Sequence, residues 1–402
     1  MIEPATNPTA QQDQTTPKET RTFLQRARQF LIIFGAFYVA LLVLLAIPVF
    51  QSHILYLHAV RLPLFAKYDA PEKYGLAPNK TLNFHLNTSD NEAIGAWFIL
   101  SDRYYHSLPT IPTSVNDHIT EAVRSHPTIL FLHGNAATRA MPTRIRHYAG
   151  FTSRLSTNVL AIDYRGYADS TGSPSEAGLV RDARGAWDWL ISQGTKEEDI
   201  ILVGHSLGTG VASQLAAQFG REGIKPRGLV MLAPFSSIRE LLNTYHIFGL
   251  FPLAKPLSMI PFGTNLLSLA LIHKYDSLSV VPDIKTNVVI SHAANDWEIP
   301  STHSEALLEA FLDPYLPPVD IPSNPIGMNQ AEWAAYTTQQ TVRLSERNKL
   351  IKRTELQNFG TLQEFTDEGR KVVFVKSFEG GHNRPGTQEG VQDVIGRTLG
   401  LF

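Results

Sequence analysis

Short, nearly unbroken apolar runs recur through the chain, and stretches of helical periodicity separate most of them. Residues 128–132, 159–163, 200–203, 228–232, 288–291 and 372–376 read as strands. Residues 144–154, 176–191, 207–218 and 302–312 read as helices between them. Strands that are apolar on both faces and alternate with helices predict an α/β fold: a mostly parallel central sheet with helices on both faces. Upstream, residues 80–86 and 93–100 flank the turn-forming Asn87-Thr88-Ser89-Asp90-Asn91, which predicts an antiparallel hairpin. Two stretches break the alternation. Residues 236–279 are apolar, aromatic and punctuated by Gly249, Pro252, Pro256, Pro261 and Gly263; they read either as a helical cap over a site or as an extra pair of core helices. Residues 314–370 are more polar and show no obvious strand, with 328–357 a candidate helix.

The N-terminal part has a different character. Residues 1–29 are largely polar and predict a disordered tail. Residues 30–50 are apolar without a charged side chain, long enough to cross a hydrocarbon core of about 30 Å as a helix. A signal peptide is the main alternative, but its apolar region is shorter, about 7–15 residues, and is followed by a small-residue cleavage site; a buried helix is the other. The run is read as a transmembrane helix, 51–79 as a linker, and 80–402 as one domain with a cap near 236–279 and an insertion near 314–370. Lys18, Arg21, Arg26 and Arg28 precede the run, while Arg61 and Lys67 follow it more distantly. That asymmetry predicts a cytosolic N-terminus and a lumenal domain. The sequons at Asn79 and Asn87 fall on the lumenal side.

Composition narrows the classes. The 402-residue chain has a formal net charge of −2, which gives no reason to expect nucleic acid. It has no cysteine, which excludes disulfides and thiolate metal sites. Its 14 histidines include no zinc-protease signature, and no phosphate loop occurs. No metal or cofactor is expected. Nothing bears on oligomeric state.

Gly204-His205-Ser206-Leu207-Gly208 lies between a strand and a helix, the setting a nucleophile elbow requires. The glycines permit a tight turn that lifts the Ser206 hydroxyl above the sheet. A serine hydroxyl is a weak nucleophile and needs a base, an orienting carboxylate and oxyanion donors. Asp296 follows the strand after the cap region, and His382 follows the last strand in a glycine-rich loop, giving the order Ser, Asp, His. Asp276 and Asp283 are weaker rivals because they precede their strand; His292 and His303 lie beside the proposed acid. His133-Gly134-Asn135-Ala136 follows the first parallel strand, so the Asn135 and Leu207 amides are the expected oxyanion hole, with His133 tying the loop together.

His133-Gly134-Asn135-Ala136, Asp163-Tyr164-Arg165-Gly166-Tyr167-Ala168-Asp169-Ser170, Gly172-Ser173-Pro174, Gly204-His205-Ser206-Leu207-Gly208, Asn295-Asp296 and Gly381-His382 occur in one order. With the N-terminal apolar run, they resemble the α/β-hydrolase domain-containing protein 12 family over about residues 30–400. The resemblance implies an α/β-hydrolase fold, a single-pass endoplasmic-reticulum protein, and a lipase for monoacylglycerols and lysophospholipids, notably lysophosphatidylserine. It assigns the triad to Ser206, Asp296 and His382. The insertion 314–370 is longer than that family leads one to expect. Protein depalmitoylases share the His-Gly-Asn-Ala and Gly-His-Ser-Leu-Gly elements but reach membranes through palmitoylated cysteines, which this chain lacks; a protein S-acyl thioesterase is the alternative. A non-catalytic scaffold is a third class, disfavoured by the complete triad. The expected partners are an acyl-lipid substrate and a membrane. Arg139, Arg144 and Arg384 are read as solvated arginines, with a lipid phosphate as the other possibility.

Overall fold

The apolar runs assemble as one sheet. The computed structural model describes residues 22–244, 246–247, 251–252, 269–320, 327–367 and 369–402, side chains of 42, 45, 246, 247, 251 and 252 excepted. Its strands are β1 (Thr81–Asn87), β2 (Ala93–Ile99), β3 (Thr128–Leu132), β4 (Asn158–Ile162), β5 (Ile200–His205), β6 (Gly228–Leu232), β7 (His246–Ile247), β8 (Phe251–Pro252), β9 (Val288–Ala293), β10 (Lys352–Leu356), β11 (Gly360–Asp367) and β12 (Arg370–Ser377). Among the described residues ten strands pair in the order β1-β2-β4-β3-β5-β6-β9-β12-β11-β10, and β7 and β8 form a separate small ladder. β4, β3, β5, β6, β9 and β12 run parallel, and antiparallel pairs close both edges. This is the expected mostly parallel architecture, hairpin included.

Alternation along the strands divides the core. Leu130, Leu160, Leu202 and Met231 face one side with the long helices Glu176–Ser192 and Leu207–Glu222. Ile129, Val159, Val203 and Val230 face the other, against the helices Pro142–Arg154 and Glu389–Leu399. Covering on both sides explains why these strands read as continuous apolar runs.

The insertion differs from its reading. Gln330–Leu350 is a helix begun by a capping box between Asn329 and Glu332. Beyond it, β10 and β11 extend the sheet by antiparallel pairing onto β12. These strands are masked in sequence because charge interrupts their apolar alternation. Glu364 pairs across strands with Lys352 and Lys371, which suits an edge that must stay in water.

The N-terminal run also differs. Instead of one helix over 30–50, there are two: α1 (Phe23–Ala46) and α2 (Pro48–Tyr56). Pro48 disfavours the helical region for Ile47, which sits at φ −85°, ψ 123°, and then starts α2 as its first residue. So residues 23–29, read as tail, are helical, and the front of the expected linker is helix α2. Among the described residues no helix is both long and apolar enough to cross a membrane. Of the expected cap, the helices Ile238–Thr244 and Ser277–Val280 are described. Most of the apolar stretch 248–267 lies outside the described residues.

Candidate active site

Ser206 stands between β5 and the helix Leu207–Glu222 with φ 52°, a left-handed conformation rare for a residue with a side chain. The turn is possible because its neighbours lack a Cβ. One on Gly208 would run into the Leu132 carbonyl, and one on Gly204 into the Gly208 backbone. The chain therefore passes within contact distance of β3.

The two expected partners reach it from loops at the same strand ends. His382 Nε2 lies 2.8 Å from Ser206 Oγ, and His382 Nδ1 lies 2.8 Å from Asp296 Oδ2. A carboxylate only accepts, so Nδ1 carries the proton and Nε2 is free to accept from the serine. Asp296 Oδ1 accepts from the amides of Glu298 at 2.9 Å and Ile299 at 3.0 Å. Burial works against the charge of Asp296. Hydrogen bonds from His292, His382 and the Ile299 amide outweigh it and hold the carboxyl well below the usual carboxylate range. Burial likewise disfavours a charged His382, yet the hydrogen bond and charge of Asp296, with Glu298 behind it, raise its pKa above the ordinary imidazole value.

Residues beside these three hold them. Asn295 accepts from the Gly381 amide at 2.8 Å and donates to Glu379, tying the Asp296 loop to the His382 loop. His205 Nε2 donates to the His382 carbonyl at 3.0 Å, and burial next to His382 and His147 keeps its ring neutral. The rejected candidates have other work. His292 donates to the Ile299 carbonyl at 2.8 Å, with Asp296 Oδ2 at 3.2 Å, and bonds Ser304 at 2.7 Å. His303 bonds Ser236 and Thr244 at the foot of the cap region. Asp276 caps a short helix, and Asp283 pairs with Arg221.

Leu207 directly follows Ser206, and the loop that carries Asn135 runs close by. A Cβ on Gly134 would sit 3.1 Å from that of Ser206, which shows how closely the Asn135 loop approaches. Leu207 is the first residue of its helix, where the N–H has no intrahelical acceptor. Among the described residues neither amide donates to another backbone oxygen. The loop is fixed from below. His133 is fully buried, with Nε2 3.2 Å from Asp163 Oδ1. Arg139 and Arg144, read as solvated or phosphate-binding, are neither. Arg139 is fully buried and paired with Asp163 at 2.7 Å and Asp169 at 2.6 Å. Arg144 Nη2 donates to the carbonyls of Gly134, Asn135 and Ala136 at 3.1, 3.3 and 2.7 Å. Arg384 is exposed. Sequence offered no signal for these roles, because an arginine bonded to main-chain carbonyls leaves no residue-type pattern. Among the described residues no group of side chains could hold a metal. A cavity of about 890 Å³ lies away from Ser206, between the β1–β2 hairpin and the helix Glu176–Ser192.

Residues 129–382, from β3 to the histidine itself, match the model of the alpha/beta hydrolase family. The chain belongs to that family. An alpha-beta hydrolase from Vibrio vulnificus shares the fold, with TM-score 0.53 and 15% identity over 89% of this chain and 94% of that one. Within the family the chain belongs to the ABHD12 branch. It is 31% identical to lysophosphatidylserine lipase ABHD12 of Gallus gallus over 68% of this chain and 70% of the relative. It is 35% identical to the protein of the same name from Xenopus tropicalis over 54% of each chain. It thus spans about half the length of some of the curated relatives it matches.

Proposed function

We propose that this chain is a membrane-anchored serine hydrolase that cleaves the acyl ester of single-chain lipids, monoacylglycerols or lysophospholipids. The observation that carries the reading is the unbroken chain of hydrogen bonds from Ser206 through His382 to Asp296. Ser206 Oγ attacks the acyl carbonyl while His382 Nε2 takes its proton. The oxyanion is met by the Asn135 and Leu207 amides. Collapse of the tetrahedral intermediate expels the alcohol, which leaves with the proton from His382. Water, activated by the same imidazole, then frees the fatty acid and restores Ser206. Asp296 keeps its charge and orients the ring throughout.

Relatives named as lysophosphatidylserine lipases support a lipid ester as substrate. Support for the anchor comes from α1. Residues 29–60 include no Asp, Glu, Lys or Arg. At 1.5 Å per residue the uncharged part of α1, residues 29–46, runs roughly 27 Å, close to the thickness of a hydrocarbon core, and its sequence is apolar almost throughout. The basic residues before it favour a cytosolic N-terminus and a lumenal catalytic domain.

Ser206→Ala should lower turnover of a short-chain ester by several orders of magnitude with the fold intact, and should abolish labelling by a fluorophosphonate. A folded, active Ser206→Ala protein would remove the nucleophile assignment. Side-by-side assay of a monoacylglycerol, a lysophosphatidylserine and a palmitoyl thioester tests the substrate class. A large preference for the thioester would make the chain a depalmitoylase instead.

A further inference from the structure

The apolar surface does not end where α1 ends. Residues 48–60 of α2 and the following turn remain uncharged, and on this stretch Val49, Phe50 and Ile54 are exposed. Immediately beyond, Leu64 is 70% and Phe65 95% exposed, flanked by the exposed cations Arg61 and Lys67. Large apolar side chains beside cations and next to a long apolar helix have the composition of an interfacial element.

The other side of this segment is bound to the active-site frame. Tyr56 is buried, and its carbonyl accepts from the Ala136 amide at 2.9 Å. The carbonyls of Val60 and Leu62 accept from Ala137 at 2.7 Å and Thr138 at 3.0 Å. These are the residues directly after Asn135. Gln51 bonds the backbone of Ala270 at 2.7 Å and Ile272 at 3.1 Å, and Ser52 bonds His273 at 3.0 Å. The described end of the cap region is thereby fastened to α2, with Leu269 81% exposed beside it. One apolar face therefore joins the end of α1, the back of the Asn135 loop and the base of the cap.

We propose that residues 48–65, with Leu269 and Ile272, form a lipid-docking surface that seats the mouth of the active site on the bilayer. The occupant is the leaflet in which α1 ends. The commitment rests on the proposed anchoring through α1, because the exposed apolar face continues that helix and the chain stays uncharged from residue 29 as far as Val60. A single-chain lipid then passes from the leaflet to Ser206 without its acyl chain crossing water, and the surface is rigid against the Asn135 loop through the three backbone bonds.

The absence of cysteine makes the test direct, since a single introduced thiol is the only site of labelling. Full-length Phe34→Cys, Phe50→Cys, Phe65→Cys and Phe402→Cys proteins are labelled with an environment-sensitive fluorophore and reconstituted in phosphatidylcholine vesicles containing doxyl-labelled lipid. Phe402 is a distant control: it follows the helix Glu389–Leu399, whose end meets Arg227 and Gly228 at the opposite ends of the strands from Ser206. The expected result is quenching at positions 34, 50 and 65 and aqueous emission at 402. Quenching at 34 with aqueous emission at 50 and 65 would overturn the docking surface and leave the anchor standing. Aqueous emission at 34 would overturn the anchor itself, and the docking surface with it.

Discussion

Asp296→Asn exchanges one carboxylate oxygen for an NH₂ group and reverses the direction of a hydrogen bond. In the native site Oδ1 accepts from two backbone amides, Glu298 and Ile299. An asparagine keeps its own oxygen there, since the NH₂ group has nothing to offer two donors. Its NH₂ then occupies the place of Oδ2, 2.8 Å from His382 Nδ1 and 3.2 Å from His292 Nε2. His382 must accept at Nδ1 and carry its proton on Nε2. That proton points at Ser206 Oγ, and the base is occupied in its neutral form. The imidazolium formed during attack also loses its carboxylate. A loss of about 10⁴ in kcat is expected, equivalent to roughly 5.4 kcal/mol of transition-state stabilisation, as for a triad locked in the wrong tautomer. Packing is unchanged because the side chains have the same shape. The assay is kcat and KM on a soluble short-chain ester, with circular dichroism to check the fold. A folded Asp296→Asn enzyme within tenfold of the native kcat would refute the reasoning, because the carboxylate would then not set the tautomer.

Three further outcomes follow from the same geometry. Because the His382 pKa is raised and only the neutral ring accepts a proton, kcat/KM should increase with pH through a midpoint above about 6.5; a midpoint below that value in a pH–rate profile would contradict the Asp296 contact. Arg139→Met leaves Asp163 buried without its main cation and should destabilise the fold by about 3–5 kcal/mol in chemical denaturation, whereas a loss under about 1 kcal/mol would mean that His133 and the backbone amide of residue 139 satisfy Asp163. Arg144→Met frees three loop carbonyls and should lower kcat about tenfold to a hundredfold while KM stays nearly constant; steady-state kinetics showing only a KM change would assign Arg144 to substrate binding.

What was legible in the sequence was what repeats or is chemically rare. Six parallel strands announce themselves because each is apolar on both faces, and Ser206 because a strand, two glycines and a helix surround it. Asp296 and His382 follow from their places after β9 and β12. The edge strands β10 and β11 were not legible, because one face and an open edge meet water and their charges hide the period of two. The break at Pro48 was visible as a residue but not as a boundary, since apolar character continued across it. Arg139 and Arg144 were misread for a related reason: burial of a cation depends on partners distant in sequence, Asp163 and Asp169 for one and three peptide carbonyls for the other.

These arginines bear on how the proposed oxyanion donor, the Asn135 amide, is held. An amide stabilises developing charge well only if it is fixed before the reaction, so that no reorganisation accompanies attack. The loop from His133 to Arg139 is fixed on three sides. His133 and Arg139 grip Asp163 beneath it, Arg144 gathers the carbonyls of residues 134–136, and the backbone of residues 56–62 receives the amides of residues 136–138. Ala136 and Ala137 adopt φ near 53°, a conformation alanine avoids when unconstrained, which fits a loop shaped by its surroundings. With its neighbouring carbonyls turned toward Arg144 and the next three amides turned toward residues 56–62, the Asn135 N–H is left without a backbone acceptor, as the proposed oxyanion donor requires. The segment that leads from the apolar helix into the domain is thus also one wall of the catalytic frame. Deleting residues 1–46 should therefore change where the protein is found more than how fast it hydrolyses a soluble ester, whereas deleting residues 1–62 should destroy turnover of both soluble and membrane substrates. Equal esterase activity of the two truncations would show that the backbone bonds from Ala136, Ala137 and Thr138 contribute nothing to the oxyanion site.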